Sequence, residues 1–341
     1  MKILITGCAG FIGMHLSLKL CAENFEVIGI DNLAPNYDIN LKISRLINLG
    51  VDMNSNSKDN KRYSEKGICF IETDLRDDKI FSIFNEYKFD YVIHLAGLGG
   101  VRNSLINPKD YIGNNINAFG NILEACAKNN VKHLLFASSS SVYGENPGNP
   151  SREDDDTNCP LSLYAASKKA NESMAYSYFH NYDLDCIGLR FFTVYGPWCR
   201  PDMGMSIFTK KIISKEPIDL FNFGNLTRDF TYVQDIVDGI NSIIEKISFQ
   251  TNPNYDIVNI GFGENIEIQD IIISLERELG MKTTINKIEN QKGDVYNTLC
   301  NNEKLKTVYD YQPKIDIGVG IPRFVKWYKE YYQTLLLEKA Y

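Results

Sequence analysis

Tyr164 and Lys168 stand four residues apart in a stretch compatible with a helix, so their side chains fall on one helix face. An ammonium beside a phenol favours the phenolate and draws its pKa from about 10 towards neutrality. Such a tyrosinate can take the proton of an alcohol, and next to a redox dinucleotide that means oxidation of the alcohol carbon. Tyr-x-x-x-Lys also fits an ordinary surface helix. Its meaning therefore depends on whether the chain carries a dinucleotide site.

The N-terminus supplies one. Lys2-Ile3-Leu4-Ile5-Thr6 reads as a buried strand that runs into Gly7-x-x-Gly10-x-x-Gly13 and then a helical stretch from Phe11 to Cys21. Gly7 and Gly10 let the backbone approach a pyrophosphate at the positive end of that helix, where Phe11 and Ile12 begin it, while Gly13 permits close packing on the sheet. A second apolar run, Val27 to Ile30, ends at Asp31, the acid expected to accept from the adenosine ribose hydroxyls. Asp31 repels a 2′-phosphate, and Asn32 and Leu33 bring no cation, so NAD is expected in preference to NADP.

The elements that must hold these residues alternate. Apolar runs at 68–71, 91–94, 133–136 and 186–189 are separated by helix-length stretches at 79–87, 111–129 and 163–181. That pattern predicts an α/β fold, a doubly wound parallel sheet of Rossmann type. The polar stretch 52–66 reads as an exposed insertion, and after Tyr195-Gly196-Pro197 the pattern becomes irregular until a helical run from Val319 to Lys339. The expected division is a cofactor domain over 1–193, with 232–262 returning to it, and a smaller substrate lobe from 194–231 and 263–341.

Composition excludes other classes. A net charge of −7 with dispersed cations leaves no footprint for nucleic acid. The eight cysteines have neither disulfide-framework nor zinc spacing, and His15, His94, His133 and His180 are scattered, so no metal is expected. His94 ends its strand and is placed to shape the cofactor site. No apolar stretch reaches the roughly 20 residues that span a bilayer, and a strand beginning at residue 2 leaves no room for a signal peptide. A cytoplasmic location, without membrane association, is the expectation.

Asp74-Leu75, His94-Leu95-Ala96, the run Ser138-Ser139-Ser140-Ser141-Val142-Tyr143-Gly144, Arg190-Phe191-Phe192 and Arg228-Asp229-Phe230 join the glycine motif, Asp31, Tyr164 and Lys168 in one order along the chain. In that order the chain resembles extended short-chain dehydrogenases/reductases over nearly its whole length. The segments 162–172 and 190–203, with Asp31-Asn32, Tyr37-Asp38 and Leu41-Lys42, most resemble UDP-glucuronate 4-epimerases. The resemblance implies a cofactor site including Asp74, Leu75, Leu95, Ala96 and Gly97. It also implies that Tyr164, assisted by Ser139, removes the 4-hydroxyl proton while hydride leaves carbon 4 for NAD. The 4-keto sugar then turns over and recovers the hydride on its other face. Gly97, Gly99 and Gly100 either leave room for that turn or serve only a sharp bend.

A uronate carboxylate needs donors, and Ser138, Ser140, Thr193 and Arg200 are the candidates, holding it near the carbonyl plane against loss of carbon dioxide. By the same resemblance Arg102 belongs to the substrate site, Arg228 meets the diphosphate, Phe221-Asn222-Phe223 packs on uracil, and Asp294 lies near the uridine ribose. An Arg228–Asp229 surface ion pair is the structural alternative. Ala96-Gly97-Leu98 instead resembles UDP-galactose epimerases, so a UDP-glucose/UDP-galactose or UDP-N-acetylhexosamine 4-epimerase stays open as an alternative. Ser140-Ser141 stand where dehydratases carry an Asp-Glu pair and decarboxylases a glutamate. A dinucleotide sensor without turnover typically lacks the Tyr or Lys, and both are present here. Family members commonly dimerise through the helices around Tyr111 and Tyr164, and a homodimer is expected.

Overall fold

Apolar runs bounded by glycine-rich turns each become a strand of one sheet, because a strand covered by helices on both faces can bury every side chain. The computed structural model describes residues 1–54, 60–145, 150–289 and 295–338, without the side chains of 333–338. The chain runs β1 (Lys2–Thr6), α1 (Phe11–Ala22), β2 (Glu26–Asp31), α2 (Ile39–Asn48), β3 (Lys61–Tyr63), β4 (Ile68–Glu72), α3 (Lys79–Tyr87) and β5 (Tyr91–His94). It continues through α4 (Val101–Ile106), α5 (Pro108–Tyr111), α6 (Ala118–Lys128), β6 (His133–Ser139), α7 (Leu163–Tyr182) and β7 (Asp185–Phe191). Then follow β8 (Thr193–Tyr195), α8 (Gly204–Ile213), β9 (Ile218–Leu220), β10 (Thr227–Arg228), β11 (Phe230–Tyr232), α9 (Val233–Ile247) and β12 (Tyr255–Ile260). The last elements are β13 (Ile266–Glu267), α10 (Ile268–Leu279), β14 (Ile285–Lys287), α11 (Glu303–Val308) and α12 (Ile317–Glu338).

The main sheet has the order β12-β7-β6-β5-β1-β2-β4-β3, and its pairings are parallel apart from β3 with β4. From β1 the chain steps outward through β2 and β4, then crosses to β5 on the other side of β1. The carboxyl ends of β1 and β5 therefore part to leave a crevice, the usual binding place in such sheets. Alternate side chains enter opposite cores. Ile3 and Ile5 pack with Met14, Ile236 and Ile240 on one face, while Leu4 packs with Phe84, Phe119 and Ile122 on the other. This is the doubly wound fold expected from the alternation.

Within the 52–66 stretch, Lys61 to Tyr63 form an antiparallel edge strand, and residues 55–59 lie outside the described residues. The edge carries charge, with Arg62 paired to Glu72 at 3.2 Å, which discourages another chain from adding to the sheet. Beyond β7 three small sheets form: β8 with β11, β9 with β14, and β10 with β13. The first is tied to the end of the main sheet, since Phe192 N donates to Ile260 O at 3.2 Å and Thr193 N to Asp229 O at 3.0 Å.

Candidate active site

The crevice begins at the glycine turn. Gly7 has φ of +74°, and a Cβ there would lie 2.8 Å from the Ala96 nitrogen, while a Cβ at Gly13 would lie 2.1 Å from the Gly7 oxygen. The turn is fixed to β2 by Gly7 N donating to Ile30 O at 2.7 Å. Gly10 precedes α1 without a side-chain cap, so the first amides of the helix are left for a ligand. One cavity wall brings together Gly7, Gly10, Phe11, Ile12, Gly13, Asp31, Asn32, Asp74, Leu75, Leu95, Ala96, Gly97, Tyr164 and Lys168. An uncapped helix start above side-chain-free backbone, with an acid at the end of the next strand, is the cradle a dinucleotide requires. The residues present fit NAD.

Asp31 accepts from Leu33 N at 2.9 Å. Burial pushes its carboxyl upward, and the charge of Lys42 opposes that shift. Lys42 enters the sequence reading only within the Leu41-Lys42 pair, without a place at the cofactor: it comes from α2 to the same wall, donates to Ala34 O at 2.7 Å and lies 5.0 Å from the Tyr37 ring centre. The signal was its helix spacing with Leu41 and Leu46, which turns that face of α2 inward. Asn32 donates to Asp74 at 2.9 Å. The hydrogen bonds of Arg76 hold the Asp74 carboxyl well below the usual carboxylate range.

Tyr164, Lys168 and Ser139 meet where α7 crosses the end of β6. The helix spacing is as expected, but the expected ammonium–phenol pairing is not what the structure has. Lys168 Nζ donates to the Ala137 carbonyl at 2.8 Å, because that strand-end acceptor faces α7. Burial lowers the Lys168 pKa to about 8. Burial also raises the Tyr164 phenol, and the groups that oppose this are a hydrogen bond with Ser139 and the charge of Arg200. Asn115 is a further residue the sequence did not disclose. It sits in a π turn, Ile112–Asn117, between α5 and α6, accepts from Leu98 N at 2.7 Å and donates to Ser167 Oγ at 3.0 Å. Nothing in its local sequence marks the turn.

The four proposed carboxylate donors separate. Ser138 Oγ donates to Glu172 Oε1 at 2.6 Å, and Glu172 is held by Arg190 at 2.9 Å through Nε and through Nη2. Ser138 lies on the wall of the first cavity as expected, with its hydroxyl proton engaged by that buried ion pair. Ser140 opens the 3₁₀ turn Ser140–Tyr143 and is on neither cavity wall. Arg200 lines the first cavity, donates to Gly99 O at 3.1 Å and pairs with Asp202. Burial pulls its pKa down, and the Asp202 hydrogen bond and charge more than reverse this. Thr193 lines the adjoining cavity. The glycine segment makes a bend and a close approach: Gly97 and Gly100 have φ of 155° and 112°, and a Cβ on Gly99 would lie 2.5 Å from Arg200 Nη1.

The second cavity shares Val194 and Met203 with the first and is lined by Arg102, Thr193, Phe221 and Arg228. Arg102 stacks on the Phe221 ring at 4.5 Å. Asn222 instead donates to Asn225 O at 2.8 Å, and Phe223 is 53% exposed, so of the three only Phe221 faces this cavity. Their left-handed φ values, 48° and 53°, turn the chain outward. The Arg228–Asp229 surface pair is excluded. Asp229 is fully buried and accepts from the amides of Phe262, Gly263 and Cys300 at 2.8–3.0 Å. Asp294 lies outside the described residues. Among the described residues no His, Cys, Asp and Glu cluster could hold a metal, and no helix is long and apolar enough to cross a membrane.

The chain has known relatives along nearly its whole length. It is 41% identical over 349 residues to the protein CapI of Staphylococcus aureus, covering 98% of this chain and 100% of that protein. It is 39% identical to UDP-glucuronate 4-epimerase 1 of Arabidopsis thaliana over 97% of this chain and 77% of that one. The UDP-glucuronic acid 4-epimerase of Bacillus cereus, solved in complex with UDP-glucuronic acid and NAD, superposes with a TM-score of 0.87 at 32% identity, covering 97% of this chain and all of that one. Residues 3–261 match the NAD dependent epimerase/dehydratase family, and the chain belongs to that family.

Proposed function

We propose that the protein is an NAD-dependent UDP-sugar 4-epimerase whose substrate is UDP-glucuronate and whose product is UDP-galacturonate. The observation that carries this reading is Tyr164 on the wall of the first cavity together with Ser139, Lys168 and Arg200, beside a second cavity that shares Val194 and Met203 with it. When bound, NAD supplies a hydride acceptor that returns the hydride, so no net oxidation results. Tyr164 takes the 4-hydroxyl proton and Ser139 orients that hydroxyl. Lys168, a cation below about pH 8, stabilises negative charge at the end of β6. Gly97 and Gly99 put backbone, with the Arg200 guanidinium against it, on the wall where a sugar must turn. Thr193 and Arg200 hold the carboxylate near the carbonyl plane, where its bond to carbon 5 cannot align with the π system. Arg228 and Arg102 meet the diphosphate, Phe221 the uracil, and Asp294 the ribose.

The same reading assigns 1–193 and 232–262 to the cofactor and 194–231 and 263–341 to the nucleotide sugar. The pairing of β12 with β7 supports it for the returning segment. It further includes a homodimer formed through the helices around Tyr111 and Tyr164, and a cytoplasmic enzyme, with which the eight free cysteines agree. A second reading, a neutral UDP-hexose as substrate, is favoured by Ala96-Gly97-Leu98 on the cavity wall. The two are separated by incubating purified protein with UDP-glucuronate, UDP-glucose and UDP-N-acetylglucosamine in turn, followed by chromatography. UDP-galacturonate should accumulate to an equilibrium mixture with little pentose. Interconversion of UDP-glucose and UDP-galactose alone would transfer the reading to the hexose. Thr193→Ala should raise the decarboxylated share of product relative to epimer.

A further inference from the structure

Arg45 is fully buried, yet it belongs to α2 and stands outside the walls of both cavities. A buried guanidinium is costly unless its donors are met. Here they meet uncharged oxygens. Nε and Nη2 donate to the Trp198 carbonyl at 3.2 and 2.6 Å, and Nη1 donates to the Ala9 carbonyl at 3.1 Å and the Tyr37 hydroxyl at 2.6 Å. Ala9 lies between Gly7 and Gly10. One side chain thus joins the cofactor turn to the loop that follows β8.

Trp198 is the unusual end of that link. Its φ is 66°, a left-handed conformation that strains a bulky residue and persists only where the surroundings impose it. They do so from several directions. The neutral His15 ring donates from Nε2 to the Pro197 carbonyl at 2.9 Å, and the Trp198 ring packs 5.6 Å from Trp327 and 5.3 Å from Tyr331, both on α12. Tyr331 in turn lies 3.4 Å from the hydroxyl of Ser44, the neighbour of Arg45. Two residues after Trp198, Arg200 passes 5.9 Å from the Tyr37 ring and reaches Gly99 beside Tyr164. The backbone that carries Arg200 thus leaves from a strained residue that these contacts hold in place.

We propose that Arg45 is a positioning residue for the epimerisation: by fixing the strained Trp198 carbonyl, it sets Arg200 at the reacting end of the site. The proposal rests on the reading of Arg200 as a substrate contact, and its test separates the two. Wild type, Arg45→Lys, Arg200→Met and the double variant are compared by kcat and KM at saturating NAD. UDP-glucuronate is the substrate, or the UDP-hexose if wild type epimerises only that. Failure of wild type on UDP-glucuronate removes the substrate reading alone.

Arg45→Lys keeps the charge but loses the fork that grips one carbonyl twice. It should lower kcat/KM about tenfold, chiefly through KM, because the contact Arg200 makes is weakened rather than the proton transfer at Tyr164. In the Arg200→Met background the same change should cost less than about twofold, since residues acting through one another are not additive. Losses that multiply, or an Arg45→Lys protein with wild-type KM, would overturn the proposal. Tyr37→Phe removes one of the four hydrogen bonds and decides the matter if Arg45→Lys does not fold. Its smaller rise in KM should likewise vanish when Arg200 is Met, and persistence there would count against the proposal.

Discussion

At the scale of the residue, Tyr164 is held in the protonated form by burial, with Ser139 and Arg200 pulling the other way. Tyr164 is therefore a base only as the phenolate, after its own proton has left to solvent, and adjoining cationic charge favours that form. Tyr164→Phe keeps the ring and its edge contact with Tyr111 at 6.3 Å but removes the acceptor. Turnover should fall by roughly 10²-fold or more while NAD binding, followed by titration, stays as in wild type. Near-normal turnover would exclude the mechanism. Tyr164, Lys168, the glycines and Asp31 were legible in the sequence because short spacings in a strand, turn or helix fix their geometry locally. The partner of Lys168 was not, since Ala137 approaches from another element. Arg45 and Asn115 were silent for the same reason: their roles exist only after segments far apart in sequence have met.

At the scale of the element, β6, α7 and β7 are joined by one buried pair. Glu172 accepts from Ser138 and from two donors of Arg190, each of the three residues being no more than 3% exposed. Removing one charge of such a pair leaves the other unmatched in a medium that cannot solvate it. Glu172→Gln should cost about 3 kcal/mol in unfolding free energy, at the low end of what a broken buried pair costs. It should also loosen the serine run beside the site. A urea midpoint unchanged from wild type would show that the pair contributes no stability. The strands around this pair were legible from their apolar runs. The edge strand β3 was not, because three polar residues carry no periodic signal and pair only where β4 offers a free edge.

At the scale of the whole molecule, the buried histidines set a response to acid. His94 is pushed down to about 3 and His15 to about 4, both chiefly by burial. A ring that stays neutral when folded but takes a proton near pH 6.5 when unfolded gives stability that is complete above pH 6.5 and is lost as pH falls towards 4. Asp229, raised to about 6 mainly by burial, works in the opposite sense, stabilising the fold below its unfolded pKa and losing that contribution as pH rises. Unfolding free energy should therefore decline from pH 6.5 to 4 by the difference. In His15→Gln, which keeps an N–H for the Pro197 carbonyl, the decline should be shallower by roughly 1–3 kcal/mol. Parallel curves for the two proteins would contradict this.

The packing of Trp198 on α12 carries an optical consequence. The chain contains two tryptophans, and they are these neighbours, Trp198 and Trp327, with ring centres 5.6 Å apart. Indole emission from the whole protein thus originates at a single joint two residues from Arg200. The enzyme carries a built-in fluorophore pair there, and a change in its stopped-flow emission on adding UDP-glucuronate would report, without any label, that the joint responds to binding.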